Sequence, residues 1–389
     1  MDLAPGFISH TTGPANYDGG SIVNLAAALA GGFAIPATLP MLTGIDDRLA
    51  STRTIVLVLL DGVGERQLRD HVPGGHLATH RQRTLTSVFP SSTAPAITSL
   101  LTARAPAAHG NPGWFMYEPL SREVIRTLPM DVRASPQRAV ITDCWRWQPW
   151  TLHGPVDRLA LQPADIVDST YSRRAFARSE RVGYESLDQI APILQAYVRR
   201  PGRERGYVYV YVSDFDSIAH AYGCRSEQAH DCLHALDDWF ACWADAVVGS
   251  DALLLTTADH GFVDIGPAGQ HHLDDWPALA DCLARPLTGE PRVVYCQVRQ
   301  DSLGRFDAIA QETLGSICDS HASADLLRAG WFGPAAGDDF LDRIGNRTLV
   351  MQEGHSLVDH VPGERSHRQI GMHGGVTDDE MLVPLIVVA

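Results

Sequence analysis

The sequence predicts an α/β fold: a mostly parallel central sheet with helices on both faces, plus a small inserted α+β cap. Three observations carry this. Apolar runs of strand length recur along the 389 residues. Helical patterns lie between them, the alternation expected of a sheet covered on both sides. A stretch of different character, 264–365, interrupts the alternation near its end.

Thr54 to Leu60 is a continuous apolar run closed by Asp61-Gly62, and reads as a fully buried strand stopping at a turn. Arg138 to Thr142 reads as a second, short strand. Tyr207 to Val212, wholly aromatic and β-branched, is a third. Ala252 to Thr257 is a fourth and Leu382 to Val388 a fifth, with Tyr184 to Arg199 and Glu227 to Val247 helical between strands. Residues 1–50 are rich in Gly, Ala and Pro and weakly periodic, and read as an N-terminal arm. The α/β core then comprises 51–263 and 366–389. Within 264–365, Arg292 to Val298 and Arg347 to Gln352 are strand-like, and Phe306 to Leu314 and Ala322 to Ala329 are helix-like. This βααβ stretch is taken as an inserted cap.

Composition excludes several chemistries. The formal charge of −15 argues against binding a nucleic-acid polymer, which needs a basic footprint. It leaves room for a small anionic substrate, because bound cations reverse the local field. All 31 Lys+Arg residues are arginine. A P-loop lysine, a kinase strand lysine and a Schiff-base lysine are therefore impossible. Seven cysteines, odd in number and without a C-x-x-C pair, fit a reducing compartment. No run reaches bilayer-spanning length, and the first residues lack the pattern of a signal peptide. The expectation is a soluble, cytoplasmic protein that does not bind membranes.

Several strands end in a carboxylate or histidine. Asp61 follows Leu59-Leu60, Asp214 and Asp216 follow Val210-Tyr211-Val212, and Asp259-His260 follows Thr256-Thr257-Ala258. Ligands of open α/β sheets bind outside the carboxyl ends of the strands, so these side chains should converge on one crevice. A single Asp after a strand is more often a turn former or helix cap; the recurrence is what argues for a site. Asp216 and His220 stand four apart and share a helix face. His373 lies in Gly371-Met372-His373-Gly374-Gly375, where glycines let the backbone approach closely. Three Asp and three His suit two divalent ions, and mixed imidazole and carboxylate favours zinc, manganese or iron over magnesium or calcium. Phe89-Pro90-Ser91-Ser92-Thr93-Ala94-Pro95 runs into a helix whose N-terminus favours an anion. By residue chemistry alone, Ser91, Ser92 and Thr93 are equal candidates for a nucleophile.

Taken in order, these motifs resemble the alkaline phosphatase superfamily, in its type I phosphodiesterase and nucleotide pyrophosphatase branch. The matching segments are Val58-Leu59-Leu60-Asp61-Gly62, Phe89 to Pro95, Asp216 with His220 before Tyr222-Gly223, Thr257 to Gly261, and His373-Gly374. The resemblance implies Thr93 as the nucleophile. It implies one ion on Asp61, Asp259 and His260, completed by Thr93, and another on Asp216, His220 and His373. It further implies a phosphothreonine that water then hydrolyses, and a site left net positive by two divalent ions against three carboxylates.

One departure stands out. Where the family's diesterases usually carry an asparagine that holds a phosphoryl oxygen, this chain has Trp114, in His109-Gly110-Asn111-Pro112-Gly113-Trp114. Trp114 and the displaced Asn111 are therefore the candidate substrate contacts, with Phe115 and Tyr117 as stacking surface. Cap arginines such as Arg292 and Arg347 are candidate anion holders. His271, His272, His355 and His360 read as solvated loop histidines. The expected activity is metal-dependent hydrolysis of a phosphodiester or pyrophosphate bond in a small ester. The alternatives are phosphonate carbon–phosphorus hydrolysis or phosphomonoester hydrolysis on the same core, and a metal-bearing binding protein without catalysis.

Overall fold

The computed structural model describes residues 13–139, 147–154, 156–202, 205–364 and 369–389. Its central sheet has seven strands in the order Arg81–Thr86, Leu382–Val388, Ala252–Thr257, Thr54–Leu60, Gly206–Val212, Asp157–Pro163 and Glu180–Tyr184. Thr54–Leu60 lies at the centre, parallel to both neighbours. It and those neighbours are buried at every residue. A strand covered on both faces can afford no polar alternation, which is why these three are continuous apolar runs. Leu382–Val388 runs antiparallel to both of its neighbours.

Helices cover the sheet. Glu227–Val247 begins at Ser226, whose Oγ accepts from the Ala229 N–H at 3.1 Å, a side-chain cap. Its buried Leu233, Leu236, Phe240, Trp243 and Val247 form one stripe, packed with Ile190–Val198 and Asp214–Tyr222 on the same side. The N-terminal stretch contributes Ile22–Gly32, buried from Ile22 to Ala30, which packs on the helix Thr93–Thr102.

A second sheet of eight strands runs Cys318–Ala322, Arg347–Met351, Val293–Cys296, Thr288–Glu290, Phe115–Glu118, Glu123–Arg126, Asp131–Val132 and Ser135–Ala139. Its pairings are antiparallel. Four strands come from the stretch 264–365; the other four come from 115–139, so the insert does not build this sheet alone. One register pair, Gly289 with Phe115, joins the two halves.

Of the strand expected at Arg138 to Thr142, the structure describes only Arg138 and Ala139. Ser135–Ala139 belongs to the second sheet, and residues 140–142 lie outside the described residues. The central sheet also takes Arg81–Thr86, Asp157–Pro163 and Glu180–Tyr184. The first and last are edge strands, half exposed and polar, without the apolar run that marks a buried strand.

Candidate metal centre

The carboxyl ends of the three central strands open onto one crevice. Asp61 follows Thr54–Leu60 directly, and its N–H donates to the Val212 carbonyl at 2.8 Å. The chain turns away at Gly62, where φ is +75° and a Cβ would stand 2.3 Å from the Phe262 ring. Asp259 and His260 follow Ala252–Thr257. Asp216 and His220 occupy one face of Asp214–Tyr222, the helix that leaves Gly206–Val212. Gly371–Met372 pairs with Val263–Asp264 and delivers His373 from the far side of the chain.

These residues meet around His260. Its Nε2 lies 3.3 Å from Asp61 Oδ1 and 3.7 Å from Asp259 Oδ2. Its ring stacks on His373, with centroids 3.7 Å apart. Asp216 Oδ1 is 3.4 Å from His220 Nε2 and 3.9 Å from His373 Nε2. Among the described residues two groups are spaced to hold an ion: Asp61, Asp259 and His260, and Asp216, His260 and His373. His220 stands beside the second group, its Nδ1 2.9 Å from the Gly371 carbonyl. That contact fixes the tautomer and leaves Nε2 with a free lone pair facing Asp216.

The carboxylates are incompletely satisfied. Asp61 Oδ2 accepts from the Tyr211 hydroxyl, and Asp259 Oδ1 accepts from the Gly62 and His260 N–H groups at 3.1 Å each. Asp61 Oδ1, Asp259 Oδ2 and Asp216 Oδ1 are buried with no hydrogen-bond partner among the described residues. Three such oxygens in one crevice are costly unless a cation takes them. Burial, then the charges of Asp216 and Asp259, push the Asp61 carboxyl well above the usual carboxylate range. Burial also raises Asp216, with His220 and His260 opposing. His373 is pushed well below the imidazole range by burial and by His260 and His220, so it stays neutral and can act as a ligand. The donor set fits one or more transition-metal ions.

The three hydroxyls at the helix start have separate fates. Ser91 Oγ donates to the Gly375 carbonyl at 2.8 Å. Ser92 Oγ donates to Glu290 Oε1 at 2.5 Å. Thr93 Oγ1 lies 3.0 Å from His260 Nε2, against the metal-ligand cluster. Thr93 is the first residue of Thr93–Thr102, where backbone N–H groups collect.

Asn111 does not face the crevice. It is fully buried, and its amide donates to the Ala94 carbonyl at 3.1 Å and Thr98 Oγ1 at 3.0 Å, so it braces the Thr93 helix from behind. Trp114 is half buried, and its backbone N–H donates to Glu290 Oε1 at 2.7 Å. One face of Phe115 is covered by Arg133, and one face of Tyr117 by Arg285. Arg292 is sealed inside and spent: two nitrogens go to Glu380, and Nη1 goes to the Gln352 and His355 carbonyls. Arg347 pairs with Asp307 at 2.6 and 2.7 Å. Neither is free to hold a substrate anion. His271 and His355 form a stacked pair, Nε2 to Nδ1 3.0 Å.

Glu290 and Glu380 went unremarked in the sequence. Glu290 is buried, which pushes its carboxyl up to about 7 against the opposing effect of Ser92 and Trp114. The faint sequence signal was a lone acid in Gly289-Glu290-Pro291, just before the apolar run Val293-Val294-Tyr295-Cys296.

The sequence model of the type I phosphodiesterase / nucleotide pyrophosphatase family matches residues 55–375. The chain belongs to that family. It is a hydrolase of the phosphodiesterase and nucleotide pyrophosphatase class, within the alkaline phosphatase superfamily. The fold is similar to human ectonucleotide pyrophosphatase/phosphodiesterase 5, with TM-score 0.66 and 17% identity over 86% of this chain and 87% of that one. The murine protein gives TM-score 0.63 at 16% identity, over 85% and 87%. Phosphonoacetate hydrolase from Sinorhizobium meliloti 1021 gives 0.58 at 20% identity, over 87% and 90%. At these identities the likeness is one of fold. A search of curated protein sequences gives no significant match. Among the described residues no helix is long and apolar enough to cross a membrane.

Proposed function

We propose that this family member hydrolyses phosphodiester or pyrophosphate bonds of a small anionic ester, with Thr93 as nucleophile and two divalent ions, zinc in preference to manganese or iron. The observation that carries this is the set of three buried, unpartnered carboxylate oxygens, Asp61 Oδ1, Asp216 Oδ1 and Asp259 Oδ2, beside the Thr93 hydroxyl and three imidazoles. Asp61, Asp259 and His260, with Thr93, would hold one ion, and Asp216, His220 and His373 the other. Bound there, the ions supply Lewis acidity toward the ester oxygens and lower the pKa of the threonine hydroxyl.

The chain's own groups set up the reaction. The helix start presents Thr93 Oγ1 to the crevice, and its N–H groups favour the phosphoryl charge. Asn111 holds that helix in place from behind. Attack by Thr93 Oγ1 on phosphorus expels one substituent as an alcohol or phosphate, which takes up the hydroxyl proton, and leaves the rest of the ester on the threonine oxygen as a phosphodiester. Attack by water on that ester restores the hydroxyl. The inactive threonine-to-alanine variant of the murine relative, in complex with AMP, supports this role for a threonine.

Diesters are preferred in this reading. A monoester dianion calls for an added cation near the nucleophile, whereas Ala94, Pro95, Ala96 and Ile97 line the helix after Thr93 and Arg292 is already paired. A second reading, phosphonate or monoester hydrolysis, is supported by the fold likeness to phosphonoacetate hydrolase in complex with phosphonoformate. Free cysteines at Cys224, Cys232, Cys242, Cys282, Cys296 and Cys318 support a cytoplasmic setting. The test is elemental analysis together with a panel of aryl phosphodiesters, dinucleotide-type pyrophosphates, aryl monoesters and phosphonoacetate on the metal-loaded enzyme. We expect about two transition-metal ions per chain, as a two-ion site requires, and the highest kcat/KM on a diester or pyrophosphate. A monoester or phosphonate tenfold better than the best diester would overturn the first reading in favour of the second.

A further inference from the structure

Glu290 ends the short strand Thr288–Glu290 and reaches from the second sheet to the start of the Thr93 helix. Its Oε1 accepts two hydrogen bonds, from Ser92 Oγ at 2.5 Å and from the Trp114 N–H at 2.7 Å. Ser92 is the residue that caps the helix, yet its side chain makes no cap bond to the helix backbone. The hydroxyl that would ordinarily accept from the first turn is turned outward as a donor to Glu290. The anchor of this helix start therefore lies in the other sheet.

The fold makes room for the carboxylate on two more sides. A Cβ on Gly374, next to His373, would stand 2.9 Å from Glu290 Cβ, and Gly374 sits at φ +108°. A Cβ on Gly113 would stand 3.3 Å from Glu290 Oε1. One buried side chain thus touches the segment before Thr93, the backbone of Trp114 and the residue after His373. Burying a carboxyl is unfavourable without such donors, so simple packing does not account for an acid at this position.

We infer that Glu290 is a positioning residue for the hydrolysis: its Oε1 fixes Ser92, and through Ser92 the line of approach of Thr93 Oγ1 to the bound ester. This rests on the reading of Thr93 as the nucleophile. Among the described residues the Glu290 side chain makes no hydrogen bond to the nucleophile or to a proposed metal ligand, so its loss acts on geometry. A misplacement of about 1 Å in a reacting group costs on the order of 100-fold in rate. That loss falls on kcat so far as it acts through Ser92; any loosening of Trp114, whose N–H the same oxygen accepts, reads out in KM.

The experiment compares Glu290→Ala, Glu290→Gln, Ser92→Ala, the Glu290→Ala/Ser92→Ala double variant and Thr93→Ala, each zinc-loaded, on one aryl phosphodiester. Circular dichroism and elemental analysis are run on every sample. We expect Glu290→Ala to lose about 100-fold in kcat with KM within about threefold and metal content unchanged. Glu290→Gln keeps an acceptor oxygen and should recover to within about fivefold of the parent, and the double variant should match Glu290→Ala within about threefold, as residues acting through one contact do. Glu290→Ala within threefold of the parent overturns the inference. So does a glutamine variant as impaired as the alanine variant, which would point to charge, or loss of metal, which would point to support of the ligands. If Glu290→Ala does not fold, the glutamine and Ser92 variants decide: a Ser92→Ala enzyme with unchanged kcat overturns it. Thr93→Ala separates the two readings. Full activity there removes the nucleophile and this inference together, whereas an inactive Thr93→Ala beside an unaffected Glu290→Ala removes this inference alone.

Discussion

Arg292 and Glu380 form a two-pronged ion pair wholly removed from solvent, with Nε to Oε1 at 3.0 Å, Nη2 to Oε2 at 2.9 Å, and both side chains 0% exposed. Glu380 also accepts from the Gly375 N–H at 2.8 Å and Thr377 Oγ1 at 2.7 Å, so the pair rivets the loop after His373 to the second sheet. Removing one partner leaves a buried charge unpaired, at a cost of about 3–5 kcal/mol. Glu380→Ala and Arg292→Ala should each lower the unfolding free energy by that order in a urea titration. A loss below about 1 kcal/mol would mean that water reaches the pair.

Thr93→Ala should abolish turnover, by several orders of magnitude in kcat, while leaving fold and metal content largely intact. Ser91→Ala should be far milder, because its hydroxyl faces the Gly375 carbonyl, and Ser92→Ala should lose no more than the roughly 100-fold expected of its contact with Glu290. Single-turnover kinetics with all three variants check this. A dead Ser92→Ala beside an active Thr93→Ala would shift the nucleophile by one residue.

Asp216→Asn and His373→Ala should lose metal as well as activity, since each removes a proposed ligand from the cluster that also contains His260. Elemental analysis after dialysis should find about one ion fewer per chain than in the parent. Retention of the parent's full metal content in both variants would exclude them as ligands.

Metal uptake should release protons. The Asp61 carboxyl lies above the usual carboxylate range through burial and its acidic neighbours, so the metal-free protein keeps protons that free carboxyls have lost. Binding a cation requires the ionised form. The sign follows: protons leave on binding, and apparent affinity rises with pH until those carboxyls ionise unaided. Calorimetry in buffers of different ionisation enthalpy should show net proton release on binding, and an affinity that does not change with pH would contradict it.

Trp114→Asn addresses the crevice wall. If Trp114 shapes a pocket for the second substituent of the ester, the change should lower diester kcat/KM, by the roughly 1–3 kcal/mol of a lost aromatic contact. A rise in diester turnover would show instead that asparagine restores a phosphoryl contact.

The apolar runs Thr54–Leu60, Gly206–Val212 and Ala252–Thr257 were legible because a doubly covered strand leaves no place for polar residues. The acids that follow them were legible because strand ends share one crevice. Edge strands such as Glu180–Tyr184 were not, since half-exposed strands lose the apolar signature. Asn111 misled because distance along the chain to a family position says nothing of which way an amide points; here it points into the helix. Glu290 stayed hidden because its meaning depends on partners nearly two hundred residues away.

The Trp114–Glu290 hydrogen bond joins residues 176 apart in the chain. During synthesis at roughly 5–20 residues per second, Trp114 emerges about 10–35 s before Glu290 exists. Throughout that interval Phe115–Glu118 has its hairpin partner Glu123–Arg126 but lacks Thr288–Glu290. An open strand edge of this kind templates pairing with other chains, and late non-local pairing prolongs the exposure. Crowded nascent chains would therefore be prone to pair along this edge, and slower expression at lower temperature would favour the pairing that closes it.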